Sequence, residues 1–562
     1  MLKGHPKGLF VLALANMGER FGYYTMLAIF VLFIQAKFGF DKDTSSLVFS
    51  TFLALVYFLP LFGGIVADRL LGYGKTIILG IVVMFIGYSL LAIPTGVSEA
   101  AKIMMFSALG LIALGTGFFK GNLQALVGNL YDDPKYNSKR DLAFSIFYMC
   151  INIGAFFAPS AAGAVYNHFM AKAGLFYEPK IPALAHQLFN GTISADGTAS
   201  LKQLADLQTA GASSDLVNFS HTYIEKLSEG YNYGFALACI SLVVSLLIFL
   251  GFKKYYKNAD VTVKEQAKKD KASGAKSQAI ELSPAETKER IICLSLVFAV
   301  VIFFWMAFHQ NGLTLTWFAR DYTASSLTGI GRISFGLPSM VMLIIAFYGL
   351  LGVVQFKKMM GKMLSGIAFI VGAIGTYAFY SDMPAEIKIT PEVFQQFNPF
   401  FIIILTPVAV GFFAMLAKRN SEPSAPRKIG IGMFVAAIAF LVMSVGSLGL
   451  PTPHAIQASG GVSDMLVSPN LLISTYFTLT IAELFLSPMG LSFVSRVAPP
   501  KYKGLMQGGW LAATAVGNYC VAIIGHLWGI ELWLLWGILV LCCAVSGIFI
   551  FSIMKKLDAV AK

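Results

Sequence analysis

Charge is what this sequence has least of. Only 13% of its 562 residues are Asp, Glu, Lys or Arg, about half of the ~25% usual in soluble domains, whereas 57% are apolar. A soluble chain of this length would carry several domains with charged surfaces. Here the apolar residues gather instead into runs of ~20, the length a helix needs to cross a ~30 Å hydrocarbon core. Alternating strands are lacking too, and solid runs such as Ile77 to Leu91 and Leu532 to Ile553 exclude a β-barrel. Cysteine is sparse: Cys150, Cys239, Cys293, Cys520, Cys542 and Cys543 fall in or beside apolar runs, with no CxxC and no nearby His pair. They read as buried inert thiols, and no metal site is expected. A cleavable signal peptide is not expected either, because the first apolar segment starts near Leu9 and runs past signal-peptide length without a small-residue cleavage site.

What remains is an all-α polytopic membrane protein. The runs predict fourteen spans with edges near 8–34, 45–68, 75–94, 102–128, 142–167, 230–252, 291–318, 336–356, 363–381, 397–417, 428–448, 469–493, 505–525 and 532–553. An even number puts both termini on one side. With that side cytoplasmic, about 30 of the 42 Lys and Arg lie on it, about 10 outside and two within spans, the bias that sets orientation. The net charge of +13 therefore reads as a topology signal, and no nucleic-acid partner is expected. The basic loops are Lys135 to Arg140, Lys253 to Arg290, Lys357 to Lys362, Lys418 to Lys428 and Lys501 to Lys503.

The predicted domains are an N-terminal six-helix bundle (1–252) with an external loop at about 168–229, a cytoplasmic linker (253–290), and a C-terminal bundle (291–562) with an inserted hairpin at about 336–381. The external stretch has the mixed composition of a short capped loop and contains Asn-x-Ser/Thr at Asn190 and Asn218. Two bundles joined by a basic loop suggest internal repeats with a site between them.

A charge at a helix centre costs ~2.5–3.5 kcal/mol on insertion scales, so each one inside a span is a functional candidate. They are Glu19 and Arg20 in span 1, Lys120 in span 4 and Glu483 in span 12, with Asp68 and Arg69 at a cytoplasmic edge. Adjacent on a helix, Glu19 and Arg20 project about 100° apart and are expected to need partners elsewhere. Asn16, Arg20 and Tyr24 form one i, i+4 row with Tyr23 beside it. Lys120 sits among Gly115, Gly117, Gly121 and Gly128, which let helices approach closely. Arg20 and Lys120 together would make a cationic pocket for a carboxylate; the alternative is an interhelical salt bridge that only holds the bundle. Glu483 shares a helix face with Tyr476, Thr480 and Ser487 and could accept hydrogen bonds from an ammonium. Asn398 precedes Pro399, where the chain is expected to leave the helical region and offer polar groups to a ligand, or simply to start a helix. Asn152 is a span-centre amide, Tyr57, Trp305 and Trp317 could line a pocket, and His309 beside Gln310 could relay protons. No nucleophile elbow, metal-ligand cluster or phosphate loop rises above chance, so an enzyme is not expected.

Four ordered segments resemble the proton-dependent oligopeptide transporters of the major facilitator superfamily. Gly63-Gly-Ile-Val-Ala-Asp68-Arg69-Leu-Leu-Gly72-Tyr-Gly-Lys75-Thr76 is similar to the loop between helices 2 and 3, and Phe147-Tyr148-Met-Cys-Ile151-Asn152-Ile-Gly154 to the Phe-Tyr-x-x-Ile-Asn-x-Gly signature. Phe394-Gln-Gln-Phe-Asn398-Pro399 and Glu483-Leu-Phe-Leu-Ser487-Pro488-Met-Gly490 resemble the helix 8 and helix 10 segments. The resemblance implies a major facilitator fold of two six-helix bundles; the count of fourteen spans leaves two extra transmembrane helices, a departure from the family's pattern that falls between family helices 7 and 8. It implies that Arg20 and Lys120 bind a peptide carboxylate, that Asn152, Asn398 and Glu483, with Ser487 on the same face, bind the amino terminus, and that Tyr23, Tyr24, Tyr57 and Trp305 shape side-chain pockets. Asp68, Arg69 and Lys75 would form a cytoplasmic latch.

The implied function is secondary active import of di- and tripeptides with protons, driven by the proton gradient without a cofactor, by a monomer in the bacterial inner membrane. The alternatives are a divergent member carrying another small anionic or amphoteric metabolite, and a peptide sensor that does not transport. One departure keeps them open: the family's Glu-x-x-Glu-Arg is Asn16-Met-Gly-Glu19-Arg20 here, so the first position cannot titrate. Proton coupling then falls to Glu19, Glu483 or His309.

Overall fold

The computed structural model describes residues 4–133, 135–261, 282–499 and 502–561. Fourteen of the described helices are long and apolar enough to cross a membrane. In chain order they are span 1 (Lys7–Phe38), span 2 (Lys42–Leu71), span 3 (Tyr73–Ala92), span 4 (Glu99–Asn129), span 5 (Leu142–Lys172), span 6 (Leu216–Gly251) and span 7 (Pro284–Asp321). Then follow span 8 (Leu337–Gln355), span 9 (Met359–Ser381), span 10 (Pro391–Lys418), span 11 (Ala425–Gly446), span 12 (Pro469–Ser487), span 13 (Leu505–His526) and span 14 (Leu532–Ser552). The core of the predicted linker, 262–281, and the basic residue Lys501 lie outside the described residues.

Local chemistry sets the ends. Asp41, Ser98 and Ser468 accept the first free amides of spans 2, 4 and 12, and Ser283 with Glu286 closes a capping box around Pro284 at the start of span 7. Span 1 stops at Gly39, whose φ of 64° suits glycine.

Within the first bundle span 1 packs on spans 5 and 6, and span 3 on spans 4 and 6; within the second, span 11 packs on spans 12 and 14 and span 7 on span 13. Span 2 against span 13 and span 5 against span 10 join the two. Spans 2 and 4 meet so closely that a Cβ on Gly63 would stand 2.1 Å from the Gly117 carbonyl oxygen, and Asn122 Nδ2 donates to the Gly63 carbonyl at 3.0 Å. Small residues thus replace hydrophobic drive as the reason helices associate in lipid. Spans 8 and 9 pack chiefly on each other, tied to span 10 by a 2.8 Å bond from Tyr348 Oη to the Ile403 carbonyl. The architecture is two six-helix bundles with a peripheral hairpin inserted after span 7.

Three features depart from the sequence reading. The stretch between spans 5 and 6 is more than a short capped loop: it holds helices Lys180–Phe189 and Ala195–Gln208, and span 6 begins at Leu216, well before the expected edge. Amphipathy is the reason, since Ile181, Leu184, Leu201 and Ala205 are fully buried. The chain is also not wholly helical, because Ser326–Thr328 pairs antiparallel with Glu386–Lys388 across the base of the inserted hairpin. Finally, span 7 is broken. Its helix ends at Phe308, passes through a 3-10 turn at His309–Gly312 and resumes at Thr314–Asp321. The backbone groups freed there are met by protein, as a membrane requires: Gln310 Nε2 donates to the Met306 carbonyl at 3.0 Å, and Tyr476 Oη to the Asn311 carbonyl at 3.2 Å.

Candidate functional site

Span 1 carries the first cluster. Glu19 and Arg20 do not seek separate partners as expected; Arg20 Nε and Nη2 each donate to a Glu19 carboxylate oxygen at 2.5 Å. The helical offset is overcome because the long arginine stem folds back along the surface, and the planar fork matches both oxygens. Glu19 and Arg20 are only 1% and 4% exposed, so water does not compete. The guanidinium also stands over the Tyr23 ring, 4.7 Å from its centroid, and Tyr23 meets Tyr24 edge-on at 5.2 Å. Asn16 Nδ2, one turn below, is buried without a hydrogen-bond partner.

This pairing changes the predicted cationic pocket. Arg20 is already neutralised, which leaves Lys120 as the cation of the cluster without an ion pair among the described residues. Its ammonium lies over the Tyr57 ring at 3.5 Å from the centroid, a cation–π contact that holds a charge without cancelling it. Tyr57 in turn meets His309 at 6.0 Å, and His309 stacks on Trp305 at 5.2 Å. His309 Nδ1 and Trp305 Nε1 are buried without hydrogen-bond partners. The break in span 7 is therefore what presents His309 to the first bundle. Trp317 is elsewhere: fully buried, it packs edge-on against Trp528 at 5.4 Å, with Lys42 Nζ over its ring.

The second cluster surrounds Glu483. One carboxylate oxygen accepts from Tyr148 Oη at 2.9 Å and the other from Asn398 Nδ2 at 2.9 Å; Asn398 also donates to Thr480 Oγ1 at 3.1 Å. Tyr148 is on span 5 and Glu483 on span 12, so this contact bridges the bundles. Tyr148 was not singled out as a site residue, although it lies in the signature and one turn before Asn152, which donates to its carbonyl at 3.0 Å. Ser487 Oγ, one turn after Glu483, is buried without a partner. The expectation that the chain leaves the helical region at Asn398 is corrected: the helix runs Phe397–Lys418 through Asn398 and Pro399. Proline is tolerated there because a first-turn amide has no intrahelical acceptor to lose. Tyr24 lies within electrostatic reach of Arg20, Glu19 and Glu483, so it links the two clusters.

The predicted latch lies apart from these groups, at the face that holds the chain termini. Tyr73 Oη donates to Asp68 at 2.7 Å beside the π-helical turn Ala67–Leu71, while Arg69 and Lys75 enter no ion pair among the described residues. The opposite face is cross-linked between the bundles. Lys42 reaches Asp321 at 3.0 Å, Arg320 Nη1 donates to Gln35 Oε1 at 2.8 Å while gripping Asp321, and His526 meets Asp43 at 2.8 Å. None of these partners drew attention in the sequence, because each sits at a span edge where charges are common.

The geometry invites comparison with known proteins. Residues 74–273 and 373–528, together more than half of the chain, match the family model described as POT family. Dipeptide and tripeptide permease B of Photorhabdus asymbiotica is 24% identical over 92% of this chain and 87% of its own length, and that of Salmonella typhimurium 25% over 92% and 86%. The uncharacterized transporter YclF of Bacillus subtilis is 26% identical over 93% and 88%. A crystal structure of peptide transporter POT in complex with sulfate aligns with a TM-score of 0.65 at 23% identity, covering all of this chain and 96% of that one. A POT family transporter in complex with 5-aminolevulinic acid aligns with a TM-score of 0.65 at 20% identity, which shows a shared fold. The family match covers spans 3–6, the end of span 9 and spans 10–13, and takes in the signature around Asn152 and the Glu483 segment: the chain belongs to the POT family.

Proposed function

We propose that the protein imports di- and tripeptides together with protons by alternating access, with the termini in the cytoplasm of a bacterial inner membrane and the proton gradient as its energy source. The observation that carries this reading is the division of charge. Lys120, on the first bundle, has a cation without a carboxylate, while Glu483, on the second, is a carboxylate held only by neutral donors. A zwitterionic peptide offers the complement of both. Its carboxylate fits Lys120 and the fork of Arg20; its ammonium fits Glu483, replacing the Asn398 and Tyr148 bonds with a stronger charge-assisted one. Tyr23, Tyr24, Tyr57 and Trp305 supply faces for the side chains, and the cross-links at the Lys42–Asp321 end fit a transporter closed toward the outside.

The Glu19–Arg20 pair supplies a coupling device that does not need a carboxylate at position 16. Glu19 and the peptide carboxylate compete for one guanidinium. A proton on Glu19 releases Arg20 to the peptide, so proton and peptide bind together, and each raises the affinity for the other. Because binding then takes up a proton, affinity rises as pH falls. Calorimetry in buffers of different ionisation enthalpy is expected to show about one proton taken up per dipeptide in the wild type and none in Glu19→Gln. Equal proton uptake in both proteins would remove Glu19 from the coupling.

A further inference from the structure

A further buried carboxylate lies at the outer end of the seam between the bundles, away from the peptide-binding groups. Glu392 sits in the turn Pro391–Gln396 that leads into span 10 and is 0% exposed. Its Oε1 accepts from Tyr166 Oη on span 5 at 2.9 Å, and Thr390 Oγ1 also bonds to it. Oε2 has no hydrogen-bond partner. The span 5 backbone presses on the group at Gly163, where a Cβ would stand 2.7 Å from Oε1. One turn toward the membrane centre, Ser160 Oγ donates to Gln396 Oε1 at 2.5 Å, and Gln395 Nε2 reaches the Ala28 carbonyl of span 1 at 3.3 Å.

The charged and titratable neighbours do not neutralise it. Tyr166 and Tyr231 face it from spans 5 and 6, and Tyr177 from the segment after span 5. Arg320, on the limb of span 7 packed against the turn, is committed to Asp321 and Gln35. Glu178 lies beside Tyr177, with Lys180 and Lys388 near it, and burial raises the Glu178 carboxyl above its ordinary range. Span 1 contributes a carbonyl. A sealed carboxylate with one bare oxygen and no cation is the least favourable state such a site can hold, and the neutral acid avoids it.

We infer that Glu392 is a proton-holding latch of the outer face: protonated while spans 5 and 10 are sealed around it, and ionised when the bundles part and water enters. On opening, the carboxyl O–H bond breaks and the proton passes to external water; on closing it returns. External pH therefore sets how readily the outer face opens, with alkaline medium favouring opening. The inference rests on the alternating-access reading for its consequence, but its test does not require transport. The purified full chain in lipid nanodiscs at about pH 7, where ordinary carboxylates are ionised, is expected to show the infrared carbonyl band of a buried protonated acid. That band should be lost in Glu392→Gln and shifted in Tyr166→Phe, which keeps the acid but removes one of its two donors. Spin labels at Val97 and Ala455, introduced after replacing the native cysteines, should move apart as pH rises in the wild type and stay fixed in Glu392→Gln. A spectrum unchanged in both variants, or label distances that follow pH equally with and without Glu392, would overturn the latch. Should Glu392→Gln fail to fold, the Tyr166→Phe band decides alone. A peptide-uptake failure with these signals intact would count against the transport reading and not against the latch.

Discussion

Arg20→Ala is expected to abolish peptide uptake and to lower stability by about 3–5 kcal/mol, the cost of leaving a buried carboxylate without its partner. The stability loss comes from Glu19, whose oxygens both depend on the guanidinium and whose surroundings admit almost no water. Adding Glu19→Gln to Arg20→Ala is therefore expected to restore most of the thermal stability, because the orphaned charge is gone, while uptake stays absent, because the peptide carboxylate has lost its fork. Thermal unfolding and uptake measured on both variants separate the two effects. Recovery of uptake in the double variant would mean that Arg20 only holds the bundle together.

The second large effect is expected at Glu483. Truncating one member of a desolvated charge pair costs ~2 kcal/mol or more, so Glu483→Gln should weaken dipeptide binding by at least about 30-fold. A double comparison isolates the contact: acetylating the peptide amino terminus should cost the wild type about as much as the substitution does, and should cost Glu483→Gln little further. Additive losses would place the ammonium elsewhere. Tyr148→Phe removes a neutral donor to the same carboxylate and is expected to have a much smaller effect on affinity.

How much of this was legible in the sequence follows from what each signal measures. Spans are set by apolar length, and the length of hydrocarbon is the same for every helix, so all fourteen were readable. Glu19, Arg20, Lys120 and Glu483 stood out because a charge in lipid is costly. The pairing of Glu19 with Arg20 was not legible, because helical projection fixes where a side chain starts and not how far an arginine folds back. Tyr148 was overlooked because a tyrosine is cheap in a span, and only the fold brings it from span 5 to Glu483. The break at His309–Gly312 was hidden for a related reason: with no proline there, hydropathy reads the segment as continuous. Glu392 looked like part of a loop, since its burial depends on Tyr166 and Gly163, more than two hundred positions away in sequence.

On the function proposed above, this chain moves peptides with protons although position 16 cannot titrate. The most direct test is uptake of labelled dialanine into proteoliposomes under an imposed inward proton gradient, repeated with the gradient collapsed. Accumulation is expected to depend on the gradient and to disappear in Arg20→Ala. Peptide binding without gradient-driven accumulation would contradict it, pointing to exchange or sensing and making Asn16→Glu the first substitution to make.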